Sequence, residues 1–142
     1  MIERTTDNSA PRGIRNCNPG NIKAASSFVW REQKGADDKG FCIFSSPAWG
    51  IRAICLIWVA YEEHHGCSSL RDYIFRWAPP IENETSAYLT YMAKALDVDP
   101  YKPLDIHALT VPILKALTHY ECGEQPYSDT VFARGVMLSH ER

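Results

Sequence analysis

The chain has 142 residues, 45% of them hydrophobic, with a formal net charge of −2, values that fit one globular domain with a single core. The near-neutral charge and the lack of a Lys/Arg run give no reason to expect nucleic acid, and the longest apolar run, Ala53 to Tyr61, is too short to span a membrane. Five cysteines (Cys17, Cys42, Cys55, Cys67 and Cys122) include no C-x-x-C pair, which argues against a zinc ribbon or other metal site and favours buried thiols.

In chain order, residues 1–11 read as a loose polar arm and residues 12–142 as the domain. The first twenty residues lack an apolar h-region, so the sequence predicts synthesis in the cytoplasm and delivery elsewhere by another route. The stretch RGIRNCNPGN (Arg12 to Asn21) is rich in Asn, Gly and Pro and reads as a tight turn. From Phe28 to Phe44, FVW and FCIF flank the polar centre REQKGADDKG, which predicts a β-hairpin with a mobile tip. Ser46-Pro47 opens a buried helix carrying Ile51, Ile54, Cys55, Trp58 and Val59, stopped at Gly66. Ser69 caps a second helix with Leu70, Tyr73, Ile74 and Trp77 on one face, ended by Ala78-Pro79-Pro80. A third follows Asn83 with Tyr88, Met92 and Leu96 in phase. A fourth opens at Thr110 and Pro112, turns Ile113, Leu114, Leu117 and Tyr120 inward, and stops at Glu121-Cys122-Gly123. A weaker helix covers Asp129 to Leu138. The expected class is α+β, mainly helical, with one small hairpin.

Glu121 is the first candidate for chemistry. A carboxylate at a helix C-terminus meets the negative end of the helix dipole, and apolar neighbours raise its pKa further. That suits a general acid, although spacing alone equally describes a surface acid in a frayed last turn. Asn16, Asn18 and Asn21 can hold their own turn or present amides to an uncharged polar ligand such as a saccharide. Glu82 and its neighbours can cap the third helix or face a cleft. His64 and His65 point apart and lack a ligand cluster, so neither a metal nor another cofactor is expected.

Four stretches taken together, RGIRNCNPGNIK, FCIFSSPAWGIRA, RWAPPIENETSAYL and ALTHYECGEQPYSD, resemble a family of small phage-type and secreted bacterial proteins with a lysozyme-like fold. Its members are regarded as virion structural proteins or as peptidoglycan-cleaving enzymes, lytic transglycosylases among them. The resemblance runs from Arg12 to Leu138. The family pattern has asparagine where this chain has Cys17 and commonly asparagine where it has Cys122. The catalytic helix of bacterial glucosaminidases is similar to LTHYECGEQPYSD, but there the Asn-containing segment follows the Glu, whereas here it precedes it. The resemblance therefore implies a circularly permuted lysozyme-like fold.

What the resemblance implies is cleavage of peptidoglycan glycan strands by Glu121 acting as acid and base, as a lytic transglycosylase or as a glycoside hydrolase. Asn16, Asn18 and Asn21 become a cleft wall, and Trp30, Glu82, Tyr88 and Tyr127 become candidates to orient Glu121 or bind sugar, with core packing the alternative for the aromatics. Asp37, Asp38, Glu82 and Asp129 are candidates for a second acid. Cys17 and Cys122, in motifs expected to meet, become candidates for a disulfide in an oxidising compartment. The expected partner is peptidoglycan in the periplasm or cell wall, with virion components, or an immunity protein if the chain is a secreted effector. The alternative function is non-catalytic: glycan binding, or a virion structural role on the same fold.

Overall fold

A computed structural model describes residues 9–81 and 83–141. The described chain is α+β and about half helical: α1 (Arg12–Arg15), β1 (Gln33–Ala36), β2 (Cys42–Phe44), α2 (Pro47–His65), α3 (Leu70–Trp77), α4 (Thr85–Leu96), α5 (Thr110–Cys122) and α6 (Asp129–Ser139). No described helix is long and apolar enough to cross a membrane.

The helix ends follow from local chemistry. Pro47 occupies the first turn of α2, and Gly66 closes it with a left-handed φ of 64°. Ser69 opens α3 with a full capping box: its side chain accepts the Asp72 N–H, and the Asp72 carboxylate accepts the Ser69 N–H. α4 lacks a side-chain cap of this kind. Thr85 Oγ1 instead donates to the Ala78 carbonyl, and Asn83 Nδ2 donates to the Pro79 carbonyl at 3.1 Å, so both residues tie α4 back to the end of α3.

Three local expectations are corrected. Part of the asparagine-rich turn is a single helical turn, α1, started by Pro11 at φ −55°. The hairpin's first strand forms in the polar segment at Gln33–Ala36, not in FVW. Gln33 pairs with Phe44 and Ala36 with Cys42, with an irregularity between them. β2 already supplies the buried side chains, Cys42 and Phe44, so β1 contributes mainly backbone, and Phe28 and Val29 stay exposed. The tip is tied down rather than free. Asp37 Oδ1 accepts the N–H groups of Lys39 and Phe41, while Oδ2 accepts from Arg12 and from Asn16 Nδ2. Burial opposes ionisation of Asp37, but these hydrogen bonds outweigh it and hold the carboxyl well below the usual range. The stability this linkage supplies is present above the unfolded carboxylate pKa and lost as pH falls through the depressed one. Asp37→Asn is expected to cost about 1–3 kcal/mol at neutral pH and to flatten the acid limb of stability against pH, measured by urea unfolding.

The core gathers around α2. α6 packs along it, and α4 bridges α3 and α5. Ile51, Ile54, Leu70, Ile74, Met92, Leu117 and Phe132 are fully buried, and Trp58 stacks on Tyr73 with ring centroids 5.0 Å apart. The segment 12–21 is clamped between two helices at glycines. A Cβ on Gly13 would lie 2.6 Å from Cys122 Sγ at the end of α5, and one on Gly50 would lie 2.4 Å from the Cys17 carbonyl oxygen. The second contact is with backbone, which cannot swing aside. Gly50→Ala is expected to cost about 1–3 kcal/mol through overpacking, seen as a lowered thermal midpoint by circular dichroism.

Candidate functional site

The clamp between α1 and α5 brings the front of the chain to Glu121. Asn21 sits in the left-handed region at φ 48°, which asparagine tolerates better than most residues. From there Asn21 Nδ2 donates to Glu121 Oε1 and to the Glu121 carbonyl, both at 3.2 Å. On the other side Tyr88 of α4 donates to Glu121 Oε2 at 2.7 Å, and Trp77 of α3 donates its Nε1–H to Tyr88 Oη at 3.1 Å. Indole N–H can only donate, so the Tyr88 oxygen accepts there and its single proton goes to Glu121. Tyr120, just before the glutamate, stacks on Tyr88 at 3.9 Å.

Burial raises the Glu121 pKa above that of an ordinary glutamate, and the hydrogen bonds from Tyr88, Asn21 and Trp77 pull against it without cancelling it. The same burial, with the adjacent Glu121 charge, raises Tyr88 far above a free phenol, so Tyr88 acts as a hydrogen-bond donor and not as a phenolate.

Glu121 borders a cleft of about 490 Å³. One wall is Asn21, Ile22 and Lys23 with Phe41 at the base of the hairpin; the other is Tyr61, Trp77 and Ala78. The lining mixes the apolar and aromatic side chains of Ile22, Phe41, Ile57 and Trp77 with the polar groups of Asn21, Lys23 and Glu121. Among the described residues lining this cleft, Glu121 is the carboxylate. Among the described residues no group of three or more His, Cys, Asp or Glu could hold a metal ion.

The structure separates the candidates. Asn21, Tyr88 and Glu121 come together. Asn18 is fully buried and holds the turn, accepting the Ile22 N–H and donating to the Ile22 and Cys42 carbonyls, each at 3.0 Å. Asn16 is buried against Asp37. Neither faces the cleft: the Asn18 amide is spent on backbone groups of the turn, and the Asn16 amide on the Asp37 carboxylate. Trp30 lies outside the cleft, edge-on to Phe28 at 4.8 Å. Tyr127 is a core residue against Phe132, its hydroxyl buried without a partner. Glu82 lies outside the described residues. As second acids, Asp37 is consumed by the hairpin tip, Asp38 is exposed beside Arg12, and Asp129 pairs with Lys115 on the surface.

Cys17 and Cys122 are both buried and are not joined to each other, so the expected disulfide is not formed. Cys122 Sγ donates to the Pro19 carbonyl at 3.6 Å, and burial pushes its pKa up to about 12, which keeps it a neutral thiol. Both cysteines are buried side chains under the site rather than groups facing the cleft. Sequence reasoning missed Trp77, Tyr61 and Phe41 as cleft residues. Trp77 was visible only as an apolar helix position, and its N–H toward Tyr88 depends on how α3 meets α4.

No family model matches the chain. The chain is 33% identical over 134 residues to Protein P5 of Pseudoalteromonas phage PM2, an alignment covering 92% of this chain and 83% of that protein. Identity of this extent, across nearly the whole chain, places the chain in the family of Protein P5 of Pseudoalteromonas phage PM2.

Proposed function

We propose that this protein cleaves the glycan strands of peptidoglycan, with Glu121 as the single acid and base. The observation that carries the reading is one half-buried carboxylate with a raised pKa, held from two sides by Asn21 and Tyr88 at the edge of an open cleft. Tyr88 donates to Oε2 at 2.7 Å and Asn21 to Oε1 at 3.2 Å, and we place the acid proton on Oε1, the oxygen with the longer hydrogen bond. Glu121 gives that proton to the glycosidic oxygen as the bond from C1 breaks. The resulting carboxylate then takes a proton from the nucleophile that closes on C1. Where the nucleophile is the 6-hydroxyl of the same sugar, the product is an anhydro sugar; where it is water, the product is reducing. With no second carboxylate among the described cleft residues, the intramolecular route, a lytic transglycosylase reaction, is the favoured one.

We read the fold as lysozyme-like and circularly permuted, a reading supported by the meeting of an early asparagine turn with a late glutamate. The phage relative supports an association with a phage, and on that basis we propose action on the cell wall after delivery by a phage, in company with virion components. The test is to incubate purified sacculi with the protein and identify released muropeptides by mass spectrometry. Anhydro products support the transglycosylase, and reducing products a hydrolase. Retained sacculus binding with no release assigns a glycan-binding or virion structural role instead.

A further inference from the structure

A second hollow of about 490 Å³ opens beside the cleft, bordered by His65, Cys67, Arg71, Asp72, Phe75 and Arg76. It adjoins the first along the end of α3: Trp77 and Ala78 line the cleft, while Arg76 and Pro79 line the hollow. Tyr61, a cleft residue, lies under the Arg76 guanidinium at 5.8 Å from ring centre. The Arg71 guanidinium sits over the Phe75 ring at 4.2 Å. Stacking on a ring holds a guanidinium's plane while leaving its N–H edge open to a planar anion.

Neither arginine has a carboxylate partner among the described residues. The acid in the hollow, Asp72, is already engaged by the Ser68 and Ser69 N–H groups at the start of α3. Arg76 also hydrogen-bonds the Cys67 sulfur. Two guanidiniums, held by aromatic rings and without an acid of their own, thus face a polar hollow one residue from the cleft wall.

We propose that Arg71 and Arg76 form a carboxylate-binding site for the peptide branches of a glycan strand lying in the cleft. This rests on the glycan reading of the cleft. Peptidoglycan's backbone sugars are largely uncharged at the bond that is cut, whereas its peptide branches carry free carboxylates. A cationic hollow beside a neutral-polymer cleft matches that division, and paired N–H donors match a carboxylate.

The test uses sacculi free of phosphate polymers and glycan strands from the same sacculi stripped of peptides by an amidase. Binding is measured by co-sedimentation in a Glu121→Gln background, so that cleavage does not consume the substrate. Adding Arg71→Gln and Arg76→Gln together is expected to weaken binding to peptide-bearing sacculi by about tenfold and to leave binding to stripped strands unchanged, with high salt removing the difference. Arg71→Gln alone, which leaves the Arg76 contacts to Tyr61 and Cys67 in place, is expected to show part of the same selective loss. Equal loss on both substrates, or no loss on either, overturns the proposal. The cleavage reading fails separately: arginine-dependent binding by a protein whose wild type releases no muropeptides would retain this site and discard the enzyme.

Discussion

Glu121→Gln is expected to reduce muropeptide release by about a hundred- to ten-thousand-fold, the range of a lost general acid, while leaving binding to sacculi intact. Glutamine keeps the shape and one acceptor oxygen for the Tyr88 hydroxyl, which is 2.7 Å from Glu121 Oε2, but has no proton to give at neutral pH. The same variant carries a stability signature. Burial raises the Glu121 pKa in the folded state, so the stability linked to this group is full below the unfolded glutamate pKa and is lost as pH rises through the folded one. The glutamine variant is expected to lack that alkaline decline. Thermal melts at several pH values between 4 and about 8 would show the wild-type midpoint falling relative to the variant. Release of muropeptides by Glu121→Gln at the wild-type rate would remove Glu121 from the chemistry.

The helices were legible because their ends are written in local chemistry. Pro47 in the first turn of α2, Gly66 at its end, the Ser69–Asp72 box and Gly123 past α5 all act where the sequence places them. The hairpin was misread because FVW looks like a strand by composition, while the pairing is decided by where Asp37 closes the turn. One residue, Asp37, therefore shifts the first strand into a polar segment whose side chains carry no periodic signal. The site divides similarly. Glu121 was marked by a charge at the wrong end of a helix, and the pairing of Asn21 with it came through the resemblance. Composition could not separate Asn21 from Asn16 and Asn18, since each amide's direction is set by partners that meet only after folding: the Asp37 carboxylate for Asn16, backbone carbonyls for Asn18 and Glu121 for Asn21. Trp77 and Tyr88 were legible as apolar helix positions, but the chain of hydrogen bonds between them depends on α3 and α4 meeting beside α5.

That chain makes Tyr88→Phe the most informative positioning variant. The Trp77 N–H fixes the direction of the Tyr88 hydroxyl, and the hydroxyl stabilises Glu121 as a carboxylate. Removing the oxygen leaves burial unopposed at Oε2, so the Glu121 pKa is expected to rise further. For a general acid, activity falls as pH rises through that pKa, so the alkaline limb of kcat/KM is expected to move to higher pH. At the optimum, kcat is expected to drop by about tenfold, because the carboxyl then loses its shortest hydrogen bond. A purely structural role for Tyr88 would lower the folded fraction without moving the limb. Tyr127→Phe supplies the contrast: its hydroxyl is buried without a partner, so losing it is expected to leave the profile unchanged and stability equal or higher. An unmoved alkaline limb in Tyr88→Phe, with the variant fully folded, would mean that the proton donated in the reaction does not come from the carboxyl that Tyr88 holds.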